Sequence, residues 1–457
     1  MSDVGTGEET TADDRDAPAQ ATRRGLLARS WRTLLPFVLV AGFAAALLIV
    51  FIHRYPTVGP IDELQHVDYA EKISRGDLVE QGDKFGQVAL REESCRGIDS
   101  PGMVLPSCDD AHFQPEAYQE GGFNTAAGHP PVYYLVTGLG ARALQVLPGI
   151  DSFLLGARLM GVFWLVGGLV VLWLLLRELR VRPLVAAAIG LFVVCIPSVF
   201  YFSAVVNNDA AALMVGSGVA WVGLRFVRGT SPLWLFALVC ALAQGVKYTN
   251  IVVIGIVVAT ILTLAYLRRS DPAERKRLLV GAAAAIGAAL VVTVAWQGLL
   301  TVTAKVPGSE IPMTQRFLVK SISVNDVLRQ SLAGFPPTQN PYIPKFMASV
   351  ALTSWVAIVG WIVIAGPTAA ALRTSGPAKV RAMSVWTLVA MLTTGSFFTV
   401  LYFVQMSTYT DIPSRYGLVM VPVALAGLAT CLRDKGAQIA MGGLAVLGAV
   451  IMLSAVI

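Results

Sequence analysis

Eleven apolar runs constrain this chain more than any other feature of it. They fall at 34–52, 153–176, 183–202, 210–227, 232–247, 249–267, 279–300, 346–366, 384–405, 416–432 and 437–456. Most approach the ~20 residues a helix needs to cross about 30 Å of hydrocarbon. Inside lipid only helices and closed barrels satisfy every backbone N–H and C=O, and unbroken runs of this length read as helices. Composition agrees, because only 14% of the 457 residues are charged, against about 25% in soluble domains. The expected fold is an all-α polytopic membrane protein of about eleven transmembrane helices. Ordinary soluble enzymes, nucleic-acid binders and disulfide-stapled secreted domains are excluded. The formal charge of +6 signals no nucleic-acid partner, since the informative quantity is the side on which charge lies.

Residues 1–22 lack an apolar pattern and read as disordered, and 1–33 as a whole as a cytoplasmic tail. The run at 34–52 is taken as a span, not a cleaved leader, because no small-residue cleavage site follows it. With the tail inside, every basic cluster between later spans falls on the tail's side. That side carries 20 Lys/Arg and 10 Asp/Glu, the other 15 and 19, as the positive-inside rule expects. The reading is a multi-pass plasma-membrane protein with its N-terminus cytoplasmic and its C-terminus extracytoplasmic.

Within the transmembrane domain, 34–457, two outer loops exceed simple connectors: 53–152 and 301–345. The apolar stretch from Pro131 to Leu147 is broken by Gly138, Gly140 and Arg142 and is expected to lie along the membrane surface. Cys195, Cys240 and Cys431 fall in apolar runs and read as packing residues. Cys95 and Cys108 share the first outer loop, where an oxidising compartment favours a disulfide; two free thiols are the alternative. The lack of Asn-x-Ser/Thr acceptors and the excess of Arg over Lys fit a bacterial protein.

Just past the first run stands Gly59-Pro60-Ile61-Asp62-Glu63-Leu64-Gln65-His66. Pro60 suits a helix start, and the spacing lets Asp62, Glu63 and His66 share a face. A carboxylate beside a membrane surface can act as a general base or metal ligand; the alternative is a solvated acidic helix start. Further on, His129-Pro130-Pro131-Val132-Tyr133-Tyr134 closes the loop. Taken alone it reads as an interface motif, stiff prolines with tyrosines at headgroup level.

Together, Asp62-Glu63-x-x-His66 and His129-Pro130-Pro131 resemble the GT-C superfamily of membrane glycosyltransferases, among them protein O-mannosyltransferases and aminoarabinose transferases. The first motif differs from the mannosyltransferase pattern by one inserted residue. Arg158, Asn207-Asn208-Asp209 and Ser414-Arg415-Tyr416 extend the resemblance over most of the chain. It implies a sugar carried by a polyprenyl phosphate and passed to an extracytoplasmic acceptor among membrane lipids. Asp62 and Glu63 would be the catalytic carboxylates, Glu63 orienting a neighbouring basic group such as Arg158, with His66 and Asp209 in support, and Lys247, Arg415 and Arg158 would bind the donor phosphate. A divalent metal is left open. Arg316 and Lys320 also fall near the outer side; singly, each such cation is as well explained by snorkelling to headgroups. The rival class is a transporter or lipid flippase, against which stand the lack of an evident repeat and of midplane charge. A non-catalytic scaffold would leave the paired motifs unexplained.

Overall fold

The structure, a computed structural model, describes residues 17–457 except Pro101 and Gly334. In chain order its α-helices are α1 Ala17–Arg54, α2 Glu63–Ile73, α3 Gln87–Arg96, α4 Val132–Leu144, α5 Phe153–Glu178, α6 Pro183–Val194, α7 Pro197–Ala204, α8 Ala212–Val227, α9 Leu233–Val246, α10 Ile251–Leu267, α11 Pro272–Thr303, α12 Pro312–Arg316, α13 Val324–Ala333, α14 Val350–Leu372, α15 Ala378–Met406, α16 Val421–Cys431 and α17 Lys435–Val456. Strand-like pairing among the described residues is confined to three isolated bridges. Most of the expected tail, 1–16, lies outside the described residues, and α1 begins at Ala17, within the stretch read as tail.

Among the described residues nine helical segments are long and apolar enough to cross a membrane, with α8, α10 and α16 each counted together with the 3-10 turn before it. The chain is therefore a multi-pass membrane protein, with fewer such segments than the eleven runs suggested. Two of the runs account for the difference. The run at 183–202 is α6 and α7, bent by 67°. Pro197 is the cause, since it cannot continue the helical ladder. The carbonyl of Cys195 at the bend accepts instead from the Trp355 indole N–H at 2.6 Å. Counted as one span, the pair is the tenth. The run at 232–247 is α9, whose 14 residues reach only about 21 Å.

Helix α5 is the axis of the assembly and packs against α1, α4, α6 and α8. Close approach requires glycine at Gly161, where a Cβ would stand 1.8 Å from the carbonyl oxygen of Ser203. The remaining spans wrap onto this group, α14 against α15 and α16, and α10 against α11 and α15.

The first outer loop is not a connector. It owns a second core in which Leu64, Tyr69, Phe85, Leu90, Phe113, Tyr118 and Tyr134 are buried together. Helix α4, over the stretch expected to lie on the membrane surface, buries Tyr133, Tyr134, Thr137, Gly138 and Ala141 against α2 and α5. Gly138 lets α4 pass over α2, because a Cβ there would meet the Ala70 carbonyl oxygen at 2.1 Å. Cys95 and Cys108 are joined by a disulfide; Cys195 and Cys240 are free and buried, and Cys431 is free and half-buried. The second outer loop rests on the first through Lys305, which reaches Asp83 at 2.5 Å and Glu80 at 3.2 Å.

Candidate active site

The polar residues singled out above gather where helices are interrupted. Asp62 precedes α2, Asn207–Asp209 occupy the turn between α7 and α8, Lys247 separates α9 from α10, and Arg415 lies in the 3-10 turn Ser414–Met420 before α16. Irregular backbone is tolerated among spans only where it is buried in protein or lines a polar cavity. Side chains take up the exposed backbone groups here. The Asn207 carboxamide oxygen accepts from Asp209 N–H at 2.9 Å, the Tyr133 hydroxyl from Asn207 N–H at 3.1 Å, and Asn250 donates to the Ala243 carbonyl at 2.8 Å.

Glu63 is fully buried, and its carboxylate is saturated. Arg158 donates to it through Nε at 2.8 Å and Nη2 at 2.7 Å. Backbone N–H groups of Gly59 and Val206 add bonds of 2.6 and 2.9 Å. Arg158 also donates to the carbonyls of Tyr55 at 2.5 Å and Thr57 at 2.6 Å. A buried ion pair is tolerated when its remaining donors and acceptors are met in this way. The pair ties the start of the first loop to α5 and to the α7–α8 corner. Arg158 was expected at the donor phosphate; its guanidinium is spent on Glu63 and the backbone.

Asp62, the neighbouring residue, has a different environment. Its backbone is left-handed, φ 60 and ψ 11, and its side chain does not cap α2. Asp is one of the few residues for which that conformation is tolerable. The carboxylate, 46% exposed, receives Arg415 Nη2 at 2.5 Å. Behind it Arg415 Nε lies 3.6 Å from Asp209 Oδ2, and Asp209 Oδ1 accepts from Lys247 Nζ at 2.5 Å. The result is a ladder of alternating charge, Asp62–Arg415–Asp209–Lys247, open at Asp62 and buried at Lys247. Two aromatic rings flank it: Lys247 sits 4.7 Å over Tyr416, and Arg415 5.4 Å over Phe202.

A file of stacked rings runs beside the ladder. Tyr69 and Tyr134 stack at 4.0 Å, Tyr134 and His66 at 5.6 Å, and His66 and His129 at 5.9 Å. The His66 ring shares a 2.7 Å hydrogen bond with the Tyr134 hydroxyl. Burial, with the Lys247 cation next in weight, holds both imidazoles well below their ordinary range, so they are neutral. The interface reading of His129-Pro130-Pro131-x-Tyr133 is therefore corrected. Tyr133 and Tyr134 are buried, and the motif joins the first loop to the site. Arg316 lies elsewhere, paired with Glu120 in the contact between the two loops.

Sequence reasoning gave Tyr134, Asn207 and Asn208 no role of their own, although it noted the Asn207-Asn208-Asp209 triplet after an apolar run and Tyr134 in the motif that closes the loop. Three buried polar atoms here have no partner: Asn207 Nδ2, Asn208 Oδ1 and His129 Nδ1. Among the described residues no three His, Cys, Asp or Glu side chains are grouped to hold a metal ion. Asp62 and Asp209 are instead paired with cations, so no metal is assigned to them.

No family model matches this chain, and no curated protein sequence matches it. Solved structures do. The archaeal oligosaccharyltransferase AglB from Archaeoglobus fulgidus, in complex with an inhibitory peptide and a dolichol-phosphate, aligns over 94% of this chain and 56% of its own at 12% identity, TM-score 0.51. ArnT from Cupriavidus metallidurans bound to undecaprenyl phosphate aligns over 86% of this chain and 59% of its own at 19% identity, TM-score 0.46. This chain thus spans less than two thirds of the length of either. The AglB likeness is one of fold alone.

Proposed function

We propose that this protein is a membrane glycosyltransferase that moves a sugar from a polyprenyl phosphate to an acceptor hydroxyl on the outer face of the membrane. The observation that carries the reading is the Asp62–Arg415–Asp209–Lys247 ladder, set at helix interruptions of a GT-C fold. The excess of acidic residues on the loop side and of basic residues opposite supports the orientation, with the N-terminus inside.

In this reading Asp62 takes the proton of the acceptor hydroxyl as its oxygen attacks the anomeric carbon. The bond from that carbon to the phosphate oxygen breaks, and polyprenyl phosphate leaves with the bonding pair. Lys247 and Arg415 hold the leaving phosphate, where fixed cations stabilise developing charge best. Asp209 keeps both cations in place. Glu63 and Arg158 position Asp62 by fixing the loop that carries it, and neutral His66 and His129 wall the site.

Purified protein incubated with a panel of polyprenyl-phosphate sugars tests this directly. Release of polyprenyl phosphate, dependent on Asp62, is the expected result; no release from any member of the panel, with acceptor membranes supplied, would refute it.

A further inference from the structure

We propose that Asn207 and Asn208, in the turn between α7 and α8, read the hydroxyl groups of the transferred sugar, separately from the cations that take its phosphate. The inference rests on the glycosyl-transfer reading and adds the part of the donor that this turn recognises.

The unpartnered atoms supply the argument. Asn207 has a fixed orientation, because its oxygen accepts from Asp209 N–H at 2.9 Å, and so the free atom, Nδ2, is a donor. Asp209 is spent on the ladder, Oδ1 on Lys247 and Oδ2 facing Arg415 Nε at 3.6 Å. Asn208 Oδ1 is a free acceptor, with the Asn208 amide directed to the Tyr134 hydroxyl at 3.3 Å. Buried polar atoms without partners are costly and uncommon. These two come from consecutive residues beside the ladder.

An ionised phosphate offers acceptors only, and it would repel Asp209. It cannot satisfy a donor and an acceptor together. A hydroxyl both donates and accepts, so adjacent hydroxyls of a pyranose or furanose match the set. Access follows from the ladder. Arg415 lies between half-exposed Asp62 and buried Asp209, at 2.5 and 3.6 Å. A donor phosphate that draws the guanidinium off Asp62 opens the way to the turn behind it. Sites built to bond a hydroxyl discriminate strongly against ligands that lack it, because their own groups are then left unpaired.

The test uses the full chain in lipid nanodiscs with two kinds of probe: undecaprenyl phosphate without sugar, and undecaprenyl phosphate bearing different hexoses and pentoses. Wild type is expected to bind at least one sugar-bearing probe about tenfold or more tighter than the sugarless lipid. Asn207→Ser keeps an oxygen to cap Asp209 N–H but lacks the amide donor. It should erase that gain and leave affinity for undecaprenyl phosphate unchanged, and Asn208→Ala should do the same. The proposal fails if wild type binds sugared and sugarless lipids equally. It fails too if both variants keep the gain, or if they weaken both classes of probe alike. Wild type that binds neither class refutes the donor assignment itself, and this inference with it.

Discussion

Asp62 and Glu63 are neighbours in sequence and opposites in structure. Glu63 is sealed, its two oxygens shared among a guanidinium and two backbone amides. Asp62 is half open, holds one end of Arg415, and leaves partnerless atoms behind it. Two carboxylates one residue apart are therefore expected to do unlike work. The closed pair keeps the loop in place, whereas the open one is free to exchange its partner. Closure of a polar network stabilises a fold, and incompleteness leaves room for a ligand.

The contrast is easiest to break at Asp62. Asp62→Asn is nearly isosteric and keeps a residue type that accepts the left-handed backbone. It should lower glycosyl transfer by about 10²–10⁴-fold, the range for losing a general base, with thermal stability unchanged. Normal turnover would place the base elsewhere. Glu63→Gln should show the reverse pattern, because it strands a buried arginine. A loss of about 3–5 kcal/mol should appear as poor yield and a lowered melting midpoint. Adding Arg158→Met should recover only part of it, since the Tyr55 and Thr57 carbonyls lose their donor.

A third carboxylate grades the comparison. Glu93 on α3 is buried, bonded by Gln119 at 2.7 Å on one oxygen and unpartnered on the other. Burial pushes its carboxyl up to about 7, from an ordinary 4.5. The unfolded chain thus ionises first, and stability present below about pH 4.5 is lost as pH rises to about 7. The slope is at most about 1.4 kcal/mol per pH unit. The buried neutral imidazoles of His66 and His129 add a slope of opposite sign, so in urea unfolding across that window the Glu93 slope should appear as the difference between wild type and Glu93→Gln. The smallest effect belongs to the tie between the loops. Lys305 is 55% exposed, so Lys305→Ala should cost under about 1 kcal/mol and leave turnover unaltered.

Much of the fold was legible because lipid imposes length and apolarity, and those survive in a single sequence. The runs at 153–176 and 249–267 correspond to α5 and α10 within a few residues. What periodicity hides is what happens inside a run. Pro197 stood in plain view within 183–202, yet the apolar side chains on both sides of it masked the bend. At the site, Asp62 and Arg415 were named from motifs, but their contact spans 353 positions, which no local pattern encodes. Arg158 and Glu63 lie 95 residues apart, and their pairing was reached only through the family resemblance, not through local spacing. Tyr133 and Tyr134 resembled an interfacial belt because tyrosine suits headgroups and buried polar walls equally.

The bend between α6 and α7 also sets a depth. The eight residues of α7 span about 12 Å along their own axis. Turned by 67°, they advance only about 5 Å along the direction of α6. A straight helix would have carried the Asn207–Asp209 turn about 7 Å further along the α6 axis. The bend carries the turn sideways instead, to where Arg415 and Lys247 meet Asp209. In this architecture one proline decides at what height of the helix bundle the polar turn sits.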